Sequence, residues 1–408
     1  MTLYEELKWR GLIKDVTSPE LENKLNNKKL TFYIGTDPTA DSMHIGHYSS
    51  FLIAKRLAKA GHKPLLLIGG ATGRIGDPRP TTEREMKSIE EIEKNTKNLK
   101  KQAEEIFGFE VVDNYDWIKN INIIEFLRDY GKYFNINYML DKDIIRRRLE
   151  TGITFTEFSY MLLQSLDFLH LHETRGVNLQ VAGSDQWGNI TSGVDLIRKK
   201  LGDEVYAFTM PLILDQNGKK FGKSEGNALW LDKNKTSSYE LYQYLINTDD
   251  SMIESYLKVF TFLSPEEIMD IVSKHNNEPH LRLGQKTLAR EIITDLHGKE
   301  EYEKAVQISE NLFSGNIKEI NVNDLMIGLK DVPHFILKDE SLLDLLVNNN
   351  ICSSKREARE FLNNNAISVN GEIVNDENMF IDKTKTIEGK IVVIRRGKKK
   401  YYVGLVEE

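Results

Sequence analysis

The chain has 408 residues, more than one hydrophobic core of ordinary size accommodates, so two or three domains are expected. With 40% hydrophobic and 29% charged residues and a net charge of -7, it reads as a globular chain whose overall charge announces no nucleic-acid partner, although a local basic patch remains compatible with RNA. Cys352 is the only cysteine, which excludes an internal disulfide and a cysteine-based metal site and points to a reducing, cytoplasmic setting.

Met1 to Gly11 mixes acidic, basic and apolar residues and lacks the apolar core of a signal peptide. No apolar run reaches the length of a membrane span. Residues 31–37 read as a buried strand, 45–60 as a helix and 63–71 as a second apolar strand ending in glycines, which is a βαβ unit and implies a parallel sheet. A long polar helix is expected over 82–107, another over 156–171, a strand over 177–182, a helix over 185–201 and a strand over 205–214. The pattern from 236 to 313 is almost wholly helical. An Asn-rich stretch, 314–340, reads as a linker. The segment 341–408 carries short helices at 341–349 and 354–364, then short strands near 368–370, 390–395 and 400–405, with a turn at Asn370-Gly371.

Two loops carry chemistry. Asp37 to His47 (DPTADSMHIGH) spans a strand end and a helix start, where free N–H groups and the positive end of the helix dipole suit phosphate. Two histidines sit there with Gly46 between them, which permits close approach to the backbone. The alternative is a His-x-x-His zinc site, although no third ligand cluster lies nearby. The second loop, Lys219 to Ser224 (KKFGKS), is polar and contains glycine; its lysines can meet a polyphosphate as charge builds in a transition state, or simply form a solvated surface. Tyr160, Gln164 and Asp167 are spaced to share one face of an otherwise apolar helix, so Asp167 is either a satisfied structural carboxylate or part of a polar site.

His44 to His47 together with Lys220 to Ser224 resemble the HIGH and KMSKS signatures of class I aminoacyl-tRNA synthetases, the first as an identical tetrapeptide. Gly70–Gly73 with Gly76-Asp77-Pro78, Phe155–Leu169 and Gly183–Asn189 are similar, in order, to the bacterial tyrosyl-tRNA synthetase family. The resemblance implies that Tyr33 and Asp167 read a tyrosine phenol, that Asp77, Tyr160 and Gln164 hold its ammonium group, and that Gln180 and Gln186 complete the amino-acid pocket. It implies that Gly35, Asp37, Thr39, Gly46, Gly183 and Asp185 cradle ATP, with Asp185 on the ribose. His44, His47 and Thr39 would bind the triphosphate, and Lys220 and Lys223, with Ser224 of the same signature, would stabilise departing pyrophosphate. ATP is then a substrate, with Mg2+ held by its phosphates rather than by a protein metal site. The loop after Pro78 (Arg79 to Arg84) departs from the family in lacking a lysine; Arg84 would keep the family's arginine role, and whether Arg79 replaces the lysine stays open.

The segment 341–408 resembles a small RNA-binding domain shared with a ribosomal protein and pseudouridine synthases. Ser353 is expected to cap a helix that presents Lys355, Arg356 and Arg359, and a second basic run, Arg395, Arg396, Lys398, Lys399 and Lys400, falls in a hairpin. The expected architecture is therefore α/β, with a Rossmann-type parallel-sheet catalytic domain (1–235), a helical anticodon-side domain (236–313), a linker (314–340) and a small α+β RNA-binding domain (341–408). The expected partners are L-tyrosine, ATP and tRNA(Tyr), in a cytoplasmic homodimer joined through roughly 118–175, with no membrane association. Two other readings stay open: a related nucleotidyl-transfer enzyme such as a tryptophanyl-tRNA synthetase, and a non-enzymatic RNA-binding derivative, against which His44, His47, Lys220 and Lys223 argue.

Overall fold

The computed structural model describes residues 1–79, 82, 85–224, 227–397 and 400–407, with backbone alone at 223, 224 and 227. The chain forms two compact units, one of residues 1–235 and 248–291, the other of 236–247 and 292–408. The expected boundary at 235 falls on an edge between these units, whereas no edge falls at 313, and the segment 236–313 is divided between the two.

The first unit is built on five strands: β1 (Thr31–Thr36), β2 (Lys63–Ile68), β3 (Val111–Asp113), β4 (Leu179–Gly183) and β5 (Tyr206–Met210). Their order is β3-β2-β1-β4-β5, and every pairing is parallel. Both faces of such a sheet are covered, so Phe32 to Ile34, Leu65 to Ile68 and all of β5 are buried in near-continuous apolar runs. The strand order turns back at β1. The C-terminal ends of β1 and β4 therefore diverge into loops on opposite sides and leave a crevice, the usual ligand position in open α/β sheets.

Five helices of this unit position the site: α1 (Ile45–Lys59), α2 (Ile89–Phe107), α3 (Asp143–Arg148), α4 (Phe155–Arg175) and α5 (Trp187–Leu201). Helix α2 starts seven residues later than expected, because Ser88 caps it by accepting from the Glu91 N–H (3.1 Å), with Glu90 and Glu91 complementing the dipole in the first turn. Strand β5 ends at Met210 rather than 214; Pro211 has no N–H to continue a ladder. Strand β3 has only three residues and no strand was expected there.

Residues 248–291 belong with the sheet because two buried guanidiniums, Arg10 and Arg56, reach the C-terminal carbonyls of helix Ile253–Phe260. Arg10 donates to Lys258 O (2.9 Å) and Leu263 O (2.6 Å), and Arg56 to Val259 O (3.0 Å). The Lys258 and Val259 carbonyls lie in the last turn of that helix, so the arginines satisfy them as a capping group would, and Leu263 O lies just beyond it.

The second unit carries the sheet β8-β7-β9-β10-β6, formed by β6 (His334–Ile336), β7 (Ile367–Val369), β8 (Glu372–Ile373), β9 (Ile391–Arg396) and β10 (Lys400–Leu405). The expected turn stands: Asn370 and Gly371 both have positive φ (50° and 89°) between β7 and β8. The stretch 314–340 is not a loose linker. Ile317, Ile320, Val322, Leu325 and Leu329 are buried with Ile308 and Leu312 on one side and Ile391, Val393 and Val403 on the other. Its asparagines hide helix-spaced apolar residues; Asn321, for example, caps helix Val322–Gly328. Strand β6 also lies before 341, so the tail's sheet is incomplete without it.

A chain ended after Phe313 would expose Ile308 and Leu312, at about 1.5–3 kcal/mol each. It should melt at lower temperature than the full chain and bind an apolar dye. An unchanged melting curve for its helical part would show that the shared cluster contributes nothing to that part.

Candidate active site

The crevice between β1 and β4 is closed on one side by the start of α1. His44 is the N-cap: its Nδ1 accepts from the Gly46 N–H (3.1 Å), while His47 Nδ1 accepts from the His44 N–H (3.2 Å). The rings stack with centroids 3.9 Å apart. Burial, with the neighbouring His44 adding to it, pushes the His47 pKa down to about 3. Both imidazoles therefore accept at Nδ1, and a neutral His47 carries its proton on Nε2. Gly46 is required for this packing, since a Cβ there would lie 2.8 Å from the His44 ring.

The second loop folds back onto this helix start. Ile45 N–H donates to Leu229 O (2.9 Å), Leu231 N–H to Met43 O (2.8 Å), and Leu229 N–H to Gly222 O (3.0 Å). Phe221 is the foot of the loop, buried against Tyr256 and Phe260 at ring distances of 4.6 and 4.7 Å. Gly222 has φ 81°, and a Cβ on it would fall 1.9 Å from the Ile45 Cγ2. Only glycine supplies both the left-handed backbone and the approach. Lys220 is exposed beside this contact, Lys223 and Ser224 begin a short ladder with residues 227–228, and their side chains lie outside the described residues.

The other wall is formed by side chains of β1, β4 and α4. Tyr33 and Asp167 are each 2% exposed. The Tyr33 hydroxyl is buried without a hydrogen-bond partner, and burial, with Asp167 nearby, holds its pKa well above the usual phenol value. Asp167 accepts from Trp117 Nε1 (3.0 Å) and Asn114 Nδ2 (2.9 Å); burial nevertheless outweighs those bonds and pushes its pKa up to about 8. The same Asn114 amide donates to Thr72 Oγ1 (3.0 Å), Thr72 donates to Asp37 Oδ1 (2.7 Å), and Tyr160 donates to Asp37 Oδ2 (2.9 Å). Asp77 accepts from Gln186 Nε2 (2.7 Å) and Asn189 Nδ2 (3.0 Å), and is one of the charges that raise the Tyr160 pKa. The Gln164 and Gln180 carbonyl oxygens are buried and unpartnered.

The structure thus gathers Tyr33, Asp37, Asp77, Tyr160, Gln164, Asp167, Gln180 and Gln186 in one unit at the sheet's C-terminal edge. Gly35, Thr39 and Asp185 are exposed there, and Gly183 ends β4. Asp37, expected toward ATP, accepts from Tyr160 and Thr72. Thr72, Asn114, Trp117 and Asn189 were not foreseen; Asn114 and Trp117 follow β3, too short to register as a strand. Arg84 lies outside the described residues.

In the second unit, Ser354, not Ser353, caps the helix Lys355–Asn363, and Ser353 Oγ donates to Glu357 (2.6 Å). Lys355 pairs with Asp344 (2.6 Å), Arg359 with Glu377, and Arg396 with Glu357 (3.8 Å) while it lies over the Phe361 ring. Arg356 is exposed, Arg395 lies beside Gly315, and Lys400 is exposed. Lys398 and Lys399 lie outside the described residues.

A parallel sheet with a histidine-capped helix start facing a glycine-anchored lysine loop is the arrangement of a class I aminoacyl-tRNA synthetase. The family of tRNA synthetases class I (W and Y) matches residues 25–314, and the tyrosine--tRNA ligase SYY-like C-terminal domain matches 324–404. The chain is 49% identical over 415 aligned positions to the tyrosine--tRNA ligase of Listeria monocytogenes serotype 4a, covering 99% of each chain, and 50% identical over 410 positions to that of Macrococcus caseolyticus, covering 98% of each. Among solved structures, a truncated mitochondrial tyrosyl-tRNA synthetase of Aspergillus nidulans superposes with a TM-score of 0.68 at 34% identity, covering 76% of this chain and 94% of that one. This chain belongs to the tyrosyl-tRNA synthetase family.

Gly222→Ala should push the lysine loop off the start of α1. The expected outcome is an ATP–pyrophosphate exchange rate lower by about 10²-fold with the fold intact by circular dichroism. A normal rate would show that the loop's seat on Ile45 does not matter to the chemistry.

Proposed function

We propose that the crevice between β1 and β4 is where tyrosine and ATP react, with the residues above in the following roles. The enzyme activates L-tyrosine to tyrosyl-adenylate and transfers the tyrosine to the 3′ end of its cognate tRNA. The observation that best supports the assignment is the buried, unpartnered Tyr33 hydroxyl beside the Asp167 carboxyl, within the same fold unit as the histidine-capped helix start. A phenol hydroxyl brought to that spot supplies the partner Tyr33 lacks.

The substrate's phenol donates to Asp167 and meets Tyr33, while its ammonium is held by Asp77, Tyr160 and Gln164, with Gln180 and Gln186 completing the wall. The carboxylate, already ionised, attacks the α-phosphorus of ATP; the new P–O bond forms as the bond to the β-phosphate oxygen breaks and pyrophosphate leaves. No protein nucleophile or base is needed, so catalysis consists of positioning and charge stabilisation. His44 and the neutral His47, with Thr39, donate to phosphate oxygens, and the orphan N–H groups of α1 add their dipole. Lys220, Lys223, Ser224 and Arg84 meet the growing charge on pyrophosphate, while Gly35, Asp37, Gly46, Gly183 and Asp185 border the nucleotide. Magnesium, where ATP brings it, is read as held by the phosphates.

The tail is read as the tRNA-binding part: Arg356, Arg395 and Lys398–Lys400 make phosphate contacts, and Lys355, Arg359 and Arg396 exchange their acidic partners for phosphate. A second copy of the chain is read as docking on the inserted segment, where Ile123 (65% exposed), Ile124 (67%) and Phe155 (73%) face outward. No helix among the described residues is long and apolar enough to cross a membrane, and a cytoplasmic site of action suits the lone buried Cys352.

Exchange with each amino acid in turn should proceed with tyrosine alone. Tyr33→Phe should cut the preference for tyrosine over phenylalanine by about 1–3 kcal/mol, a factor of roughly 5–150. An unchanged preference would remove Tyr33 from the recognition pair.

Asp167 gives a pH signature. With its pKa raised to about 8, the free enzyme holds it mostly protonated at pH 7, and a phenol donating to it requires the ionised form. Tyrosine binding at pH 7 should therefore release close to one proton, read from calorimetry in buffers of different ionisation enthalpy, and affinity should rise from pH 6 to 8. Zero release would show that Asp167 does not change protonation on binding.

A further inference from the structure

Arg148 ends α3 in the inserted segment, is 4% exposed, and has no part in the pocket described above. Its guanidinium is divided among three segments of chain. It forms a two-pronged ion pair with Glu157, at 2.9 and 3.3 Å, with both side chains almost completely buried. The Nη1 that faces Glu157 also donates to the carbonyls of Arg79 (2.9 Å) and Thr82 (3.1 Å), and Nε donates to Gly152 O (3.1 Å).

Two of those segments adjoin the amino-acid pocket. Arg79 follows Asp77 with only the stiff Pro78 between them. Glu157 lies in the first turn of α4, one turn before Tyr160. A buried ion pair roughly breaks even against an apolar filling of the same volume, so stability alone does not explain this one. Only the planar five-donor fork of arginine can bind a carboxylate and three carbonyls at once.

We propose that Arg148 is a positioning residue for the ammonium end of the amino-acid site. It clamps the backbone just after Asp77 to the helical turn just before Tyr160, and so fixes the separation of the two groups that face the substrate's ammonium. This rests on the assignment of Asp77 and Tyr160 to that ammonium.

The test compares three ligands by calorimetry: tyrosine; tyramine, which keeps the ammonium and lacks the carboxylate; and 3-(4-hydroxyphenyl)propanoate, which lacks the ammonium. Arg148→Met/Glu157→Gln removes both buried charges together, so neither is left uncompensated. Arg148→Lys keeps a cation opposite Glu157 but cannot span the carbonyls. Both should bind tyrosine and tyramine about 10-fold more weakly and the propanoate as the parent does. Equal weakening of all three ligands, or of none, overturns the clamp. Asp77→Asn separates the two ideas. If it shows the ammonium-selective loss and the Arg148 variants do not, the clamp is wrong and the pocket assignment stands. If neither shows it, the pocket assignment falls and the clamp with it.

Discussion

The pocket depends on a line of hydrogen bonds that joins the carboxyl groups of Asp37 and Asp167 through uncharged groups. Tyr160 donates to Asp37, Thr72 donates to Asp37, the Asn114 amide donates to both Thr72 and Asp167, and Trp117 donates to Asp167. Asn114 is fully buried and satisfied, since its oxygen also accepts from the Ala71 N–H (2.7 Å). These residues come from the ends of β1, β2 and β3 and from α4, so one network sets the relative position of four elements. Inside a low-dielectric pocket such a line is strong when complete and costly when broken. The two carboxyl groups keep their orientation because each oxygen already has a donor.

The phosphate side uses the opposite electrostatics. Burial holds His47 neutral, and each of the two histidines spends Nδ1 on the start of α1, which fixes the rings. Positive charge sits instead on the neighbouring loop, where Lys220 is exposed to solvent. On the proposed placement of the nucleotide, uncharged donors close to it and cations at the edge favour a state in which charge has moved onto the leaving pyrophosphate. That is differential stabilisation rather than tighter binding of ATP throughout.

Most of the sheet was legible in the sequence because its strands are buried on both faces and read as apolar runs; β1, β2 and β4 fall within a few residues of where they were expected. The histidine and lysine loops were legible because they are contiguous. What sequence pattern could not reach was assembled through space. Asn114 and Trp117 sit after a three-residue strand with no period of its own, and Thr72 is one hydroxyl in a glycine-rich turn. Arg148 ends a polar helix in which three arginines run together, and nothing local separates the buried one from Arg146 and Arg147, which pair with Asp143 at the surface. The stretch 314–340 reads as a linker because its asparagine-rich composition outweighs five apolar residues whose partners lie elsewhere in the chain.

The reaction asks the protein for no nucleophile and no proton transfer in its first step, so accuracy of placement must carry most of the work. That explains why polar groups are left buried and unpaired at Tyr33, Gln164 and Gln180. An unpaired buried donor or acceptor costs about 1–3 kcal/mol in the free enzyme. On the proposed placement of the substrate, a tyrosine that satisfies those groups recovers that cost on binding, and a phenylalanine leaves the phenol end of it unrecovered. The unsatisfied pocket is therefore a source of selectivity, and it works only if the walls do not collapse to satisfy themselves. The hydrogen-bond line from Tyr160 to Trp117 and the buried packing of Tyr33 against Phe168 hold those walls apart.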